Sequence, residues 1–223
     1  MSMKNRHVLG EAVRHLILII LALYTLAPLL FLFVNAFKSN NEIIASPVAL
    51  PEHWTLQYIK TAMEAINFGK ALGLTFIITF FSILLLVIVS SFAAWAMVRS
   101  KTILSNIVFL CFTAAMLVPF QSLMYPLLSV FEKMGLKNVQ GLILMYGGFG
   151  LSMSVFLYHC FIKSVPASLE EAAVLDGANL FQMFFKVVFP LLKGTTVTVI
   201  VLNGMWIWND YLLPFLVIGN KTG

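Results

Sequence analysis

Five stretches of this chain read as membrane spans, and they leave little of it free for any other architecture. Leu16 to Val34, Ala71 to Val98, Ile103 to about Val118 and Val139 to Ile162 contain no Asp, Glu, Lys or Arg, and Val187 to Ile218 contains only Lys193 and Asp210. Hydrocarbon about 30 Å thick takes roughly 20 helical residues to cross, and a helix satisfies its own backbone hydrogen bonds where no water can. The runs therefore predict an all-α polytopic membrane protein. Composition agrees: 61% of the 223 residues are hydrophobic, 10% are charged, and the mean hydropathy is +0.96.

The segments between the runs set order and orientation. Lys4, Arg6 and Arg14 precede the first run, which lacks a small-residue cleavage site and reads as a retained span kinked at Pro28. Phe37 to Asn67 is polar and proline-punctuated, with Trp54 and Tyr58 where interfacial aromatics belong. Arg99 and Lys101 make a tight turn that forces the third run antiparallel to the second. Pro119 ends the third run, and Gln121 to Asn138 is amphipathic and returns along the outer surface. With the N-terminus inside, the inner segments hold Lys4, Arg6, Arg14, Arg99, Lys101, Lys163, Lys186 and Lys193, against Lys38, Lys60, Lys70, Lys133, Lys137 and Lys221 outside. That bias has the sign of a cytoplasmic N-terminus.

The formal charge of +5 comes from scattered cations, which suits an anionic membrane surface and not nucleic acid. Cys111 and Cys160 lie far apart in apolar runs and show neither a disulfide framework nor metal spacing. His159 has no second ligand at metal spacing and reads as a packed or snorkelling histidine. Gly69 with Gly73 and Ser90 with Ala94 permit close helix packing, with plain lipid-facing helix as the other reading, and Gly147, Gly148 and Gly150 let a neighbour or substrate approach the backbone of the fourth run.

One polar interruption stands out, Pro166 to Pro190. Pro166 suits a first helical turn, Ser168 and Glu171 have capping-box spacing, and Gly177 offers the left-handed residue that stops a helix at Asp176. Asn179 with Gln182 repeats the capping signature and starts a second helix at once. The first helix has no clean apolar stripe and carries acids, which anionic headgroups repel, so it is unsuited to lying on the bilayer. Its small alanines and exposed carboxylates fit a protein cleft with Arg or Lys, while the same spacing also suits a plain solvated loop.

In the fifth run, Asn203, Trp206, Asn209 and Asp210 fall within a helical arc of about 120°. Polar groups at membrane depth face a bundle interior or a wet path, and helix–helix hydrogen bonding is the other use of such a face.

EAAVLDGA at 171–178, followed by Phe184 or Phe185 and then Phe189, Pro190 and Leu191, resembles the EAA loop of inner-membrane permease subunits of binding-protein-dependent ABC importers. The resemblance implies that the loop, 164–190, docks on a cytoplasmic ATPase through Glu170, Glu171, Ala172, Ala173, Asp176, Gly177 and Ala178. Gly194 stands where the family usually has a second proline, which implies a looser helix start there. FKSNNEI, LPEHWTLQYIK, VPFQSLMYPLL, GLKNVQGLIL and WNDYLLP are similar to carbohydrate-importer permeases of the maltose and multiple-sugar type, although Gly73 and Leu74 replace an Asn-Ser pair.

The fold so implied is a type-1 ABC importer bundle. Residues 1–69 form a cytoplasmic segment, first transmembrane helix and extracellular loop, and 70–223 form the transmembrane domain. With five spans Gly223 lies outside, so the resemblance implies a chain lacking its last, sixth span. It also implies a second homologous permease, two ATPase subunits carrying ATP and Mg, an extracellular solute-binding protein, membrane lipid and a sugar substrate, in a bacterial inner membrane. The polar arc is then a candidate translocation path. The chain itself carries no phosphate-binding GxxxxGK[ST], and GNKTG near the end lacks the spacing. An ion-coupled secondary transporter would need buried ionisable residues, for which only Asp210 is a candidate, and a membrane scaffold would not need the polar arc.

Overall fold

A computed structural model describes residues 3–219, and among these no strand occurs. Lys221 and the GNKTG stretch beyond Gly219 lie outside the described residues, as do the side chains of residues 1–9 and 12. The chain divides into two compact units, Met1–Ala71 and Leu72–Gly223.

In the first unit, helix α1 (Met3–Asn35) continues through Pro28, and its apolar face is exposed all round from Val13 onward until the last turn. The loop after it is built on polar contacts. Ser39 caps α2 (Asn40–Ala45) in a full capping box with Glu42. The buried Lys38 amine donates to the Ser46 carbonyl at 3.1 Å, and Asn35 Nδ2 donates to the Pro47 carbonyl at 3.0 Å. Glu42 also accepts from the Glu52 amide, so backbone N–H groups of Ser39 and Glu52 hold its carboxyl below the ordinary range. α3 (Gln57–Ala65) follows, with Trp54 packed on Phe37.

The second unit is organised around α4 (Phe68–Ser100, of which it takes the part from Leu72) and α7 (Val139–Ile162). α4 has 33 residues, so it is about 50 Å long and outreaches a hydrocarbon core of about 30 Å. α7 coincides with the fourth predicted span and is the most buried helix of the bundle. Lipid supplies no hydrophobic drive between helices, so packing depends on close approach and shared hydrogen bonds. Gly147 and Gly150 provide that approach. A β-carbon there would meet Leu85 at 2.6 Å and Leu86 at 2.7 Å, whereas Gly148, Gly69 and Gly73 have open space beside them. The buried Ser90, Ser91 and Ser154 hydroxyls donate to carbonyls one turn back, which satisfies them inside the bundle.

α5 (Ile103–Ala115) has 13 residues and rises about 20 Å, short of a crossing. The chain then turns through 107° into α6 (Phe120–Lys133), whose N-cap is Pro119. α5 packs on α7 through Phe109, which stacks on the buried His159 with centroids 3.6 Å apart, so His159 is a packed histidine.

The last run is not one uniform helix. From the end of the polar interruption onward the chain forms a π-helical turn (Phe184–Val188), α10 (Phe189–Leu191), α11 (Lys193–Asn209) and α12 (Leu212–Val217). Pro190 accounts for the wide turn, because its ring clashes with the carbonyl four residues back and the chain relieves the clash by widening. The direction changes by 76° at Leu192, two residues before Gly194, and α11 ends at Asn209. Among the described residues three helices are long and apolar enough to cross a membrane, and five crossings result if each bent pair is one span.

Candidate coupling loop and polar lining

The polar interruption folds as two short helices around a glycine joint. α8 (Ser168–Leu175) is C-capped by Asp176, and Gly177 takes φ +79 with its amide bonded to the Val174 carbonyl. Asn179 and Gln182 form the reciprocal capping box that starts α9 (Leu180–Met183). The box expected between Ser168 and Glu171 does not form. Turning begins earlier, at Pro166 and Ala167, whose carbonyls already accept from Leu169, Glu170 and Glu171, so Ser168 lies inside the helix and Ala167 caps it without a side chain.

The seven residues expected to couple divide into two sets. Glu171, Ala172, Asp176 and Gly177 are exposed, with Ala173 and Ala178 half-buried. Glu170 points inward and is 7% exposed. Its Oε1 accepts from Arg99 Nε at 2.8 Å and is ion-paired with Arg99 Nη2 at 2.7 Å, and its Oε2 accepts from Trp95 Nε1 at 3.0 Å. Arg99 Nη2 also donates to the Val165 carbonyl at 3.1 Å. Both oxygens of this buried carboxylate are engaged within the chain, so it is not an exposed acid awaiting a partner's cation.

The second leg of the loop is held by rings. Phe184, 1% exposed, stacks on Phe92 with centroids 3.8 Å apart and tilts against Trp95 at 5.3 Å. Phe92, Trp95 and Arg99 follow helical spacing and share one face of α4. Sequence reading missed these partners, although a lone arginine at the foot of an apolar helix and an acid-rich loop are complementary charges.

The four residues of the polar arc are also differently placed. Asn203, 5% exposed, donates from Nδ2 to Ser154 Oγ at 3.1 Å and to the Val199 carbonyl at 2.9 Å. Trp206 is half-exposed, edge-on to Tyr146 with centroids 5.5 Å apart. Asn209 is exposed and donates to the Met205 carbonyl; it borders an open hollow between α4 and α11 with Thr79 and Gly204. Asp210 stands outside the helix in extended backbone, which corrects the helical arc at that position. Its Oδ2 accepts from the buried Tyr146 hydroxyl at 2.8 Å and its Oδ1 from the Leu212 amide at 3.0 Å. Tyr146 and Ser154 on α7 are therefore the partners of the arc, and neither was singled out from sequence.

Residues 86–223 match the model of the family described as binding-protein-dependent transport system inner membrane component. The chain is 46% identical over 205 residues to the probable starch degradation products transport system permease protein AmyC of Thermoanaerobacterium thermosulfurigenes, covering 92% of this chain and 74% of that one. It is 32% identical over 223 residues to the multiple sugar-binding transport system permease protein MsmG of Streptococcus mutans, covering 99% and 80%. The fold is similar to that of a chain in a bacterial ABC transporter involved in the import of the acidic polysaccharide alginate, with a TM-score of 0.81 and 24% identity over 97% of this chain and 76% of that chain. An all-helical bundle with an acid-bearing, glycine-jointed loop, matched over more than half its length, makes this chain a member of the binding-protein-dependent ABC transporter permease family.

Proposed function

We propose that the chain is one permease subunit of an ATP-driven importer and forms half of the translocation path for a sugar or oligosaccharide. The observation that carries the carbohydrate reading is the 46% identity to a permease described as transporting starch degradation products. ATP and Mg bind separate ATPase subunits, and the other partners are a second permease and an extracellular solute-binding protein. The exposed face of α8, with Glu171 and Asp176 beside it, docks on an ATPase in the cytoplasm, and with α5 and α6 taken as one bent span the N-terminus is cytoplasmic as well. Closure of the ATPases around ATP draws the docked loops together and turns the bundle outward, and hydrolysis resets it.

The substrate face consists of Trp206, Asn209 and Asp210, with Asn203 joining when α11 parts from α7. Sugars offer hydroxyl edges and apolar ring faces, which amides, a carboxylate and an indole recognise together. Binding there is weak, because selectivity rests with the external protein and a transporter must release its cargo.

The test is uptake of radiolabelled maltotriose by proteoliposomes holding the complete complex. ATP-dependent uptake that requires the solute-binding protein is expected, with ATPase activity stimulated by its loaded form. Uptake driven by an ion gradient without ATP would make the chain a secondary carrier, and ATPase recruitment without uptake of any sugar would make it a scaffold.

A further inference from the structure

The Glu170 carboxylate accepts two hydrogen bonds from α4 and is ion-paired there with Arg99, while its neighbour Glu171 faces solvent. Residues adjacent on a helix point about 100° apart, so the two acids of α8 address different bodies. Glu171 faces outward and Glu170 faces the bundle. Arg99 is mostly covered as well, with its side chain 22% exposed, and it grips the Val165 carbonyl at the entrance of the loop. Phe92, two turns earlier on the same face of α4, stacks on Phe184 at the exit. Entrance, helix and exit of the loop are thus all tied to three side chains on one side of one helix.

We infer that Trp95, Arg99 and Glu170 form a clamp that makes the coupling helix and the inner end of α4 one mechanical body, with Glu170 a positioning residue and not a docking residue. The inference rests on the coupling role proposed for this loop. α4 is continuous and free of proline from Phe68 to Ser100. At its middle, Leu86 fills the space beside Gly150 on α7, next to the Asn203 amide. A displacement applied to α8 is therefore delivered along a stiff rod to the place where α4, α7 and α11 meet. A carboxylate held at one oxygen by a guanidinium and at the other by an indole N–H is fixed in orientation as well as distance, so it transmits rotation as well as pull. Glu171 alone could hold an ATPase but could not steer α4.

The experiment uses the complete transporter in proteoliposomes with maltotriose, comparing Glu170→Ala, Glu170→Gln, Arg99→Lys and the exchanged pair Arg99→Glu with Glu170→Arg. Three quantities are read: ATPase retained on purification, ATP hydrolysis, and sugar moved per ATP hydrolysed. The expected result for Glu170→Ala is retained ATPase with sugar per ATP reduced roughly tenfold, within the range by which one contact couples two sites. Arg99→Lys loses the planar group that reaches Glu170 and the Val165 carbonyl together and should fall in the same direction, Glu170→Gln should be intermediate, and the exchanged pair should recover part of the loss. Unchanged sugar per ATP in Glu170→Ala or Glu170→Gln overturns the clamp. So does loss of bound ATPase without recovery in the exchanged pair, which would make Glu170 a docking or purely folding residue. Should Glu170→Ala fail to accumulate, Glu170→Gln and the exchanged pair decide. Absence of ATP-driven uptake in the unmutated complex overturns the proposed function itself, an outcome distinct from normal uptake that survives loss of the clamp.

Discussion

A β-carbon placed on Gly150 would stand 2.6 Å from the side-chain oxygen of Asn203, so α7 and α11 meet there through a glycine and an amide with no methyl group between them. Gly150→Ala must push Asn203 away or separate the helices. Overpacking of this kind costs about 1–3 kcal/mol. Gly148→Ala, two residues away with open space, should be neutral or slightly stabilising. Thermal unfolding of the detergent-solubilised subunit separates the two, and equal melting points would show that the contact is slack.

Gly177→Val and Gly177→Asn test the joint of the loop. At φ +79 a β-branched side chain is strained, whereas Asn tolerates the left-handed region. The strain for an ordinary residue is about 1–2 kcal/mol, enough to tilt so short a helix. Valine should lower sugar moved per ATP several-fold, with asparagine much milder. Equal values for the two would argue that the joint does not set the angle of α8.

Glu171→Lys reverses an exposed charge on the face proposed to meet the ATPase. A reversal at a desolvated contact costs a few kcal/mol, so the ATPase should be lost on purification while the subunit still inserts. Retained ATPase and normal uptake would remove Glu171 from the docking surface.

Cysteines report on the polar arc, in a background with Cys111 and Cys160, both exposed, replaced by serine. Trp206→Cys and Asn209→Cys should react with a small polar thiol reagent in the resting complex, and Asn203→Cys only during turnover. Leu202→Cys and Met205→Cys should react less. Those two side chains are 42% and 63% exposed on the chain itself, so their protection must come from lipid or a partner. Labelling of all five positions alike would assign the substrate path to the other permease.

Glu42 supplies a pH dependence outside the membrane. Its carboxyl is held below the ordinary value of 4.5, first by the Ser39 amide and then by that of Glu52. A depressed carboxylate stabilises the loop above the unfolded value, and that contribution is lost as pH falls through the folded one. Protease resistance of the segment around residues 39–52 should therefore decline as pH drops below 4.5. Glu42→Gln should be less resistant at neutral pH and flat across the window.

Features encoded within a few neighbouring residues were legible in the sequence. The Asn179–Gln182 capping box, the left-handed Gly177 and the limits of α7 each depend on spacing within one or two helical turns. Long-range pairing was not. Glu170 with Arg99 and Tyr146 with Asp210 join residues 71 and 64 positions apart, and no local pattern records such a choice. Capping was misread at Ser168 because Pro166 starts the turn early. The long last run hid its π-turn and its bend at Leu192, since hydropathy measures how greasy a segment is and not whether its hydrogen bonds stay in register.

Arg99 serves the chain at two different times. During synthesis it emerges 71 residues before Glu170, and on the proposed orientation its unpaired charge resists translocation and helps fix which way α4 is threaded. Once the loop has been made, the same guanidinium closes on Glu170 and ceases to be a free charge. Replacement by a neutral residue would therefore register twice, first as molecules inserted the wrong way round and then as slack in those inserted correctly. Biogenesis and power transmission draw here on one side chain.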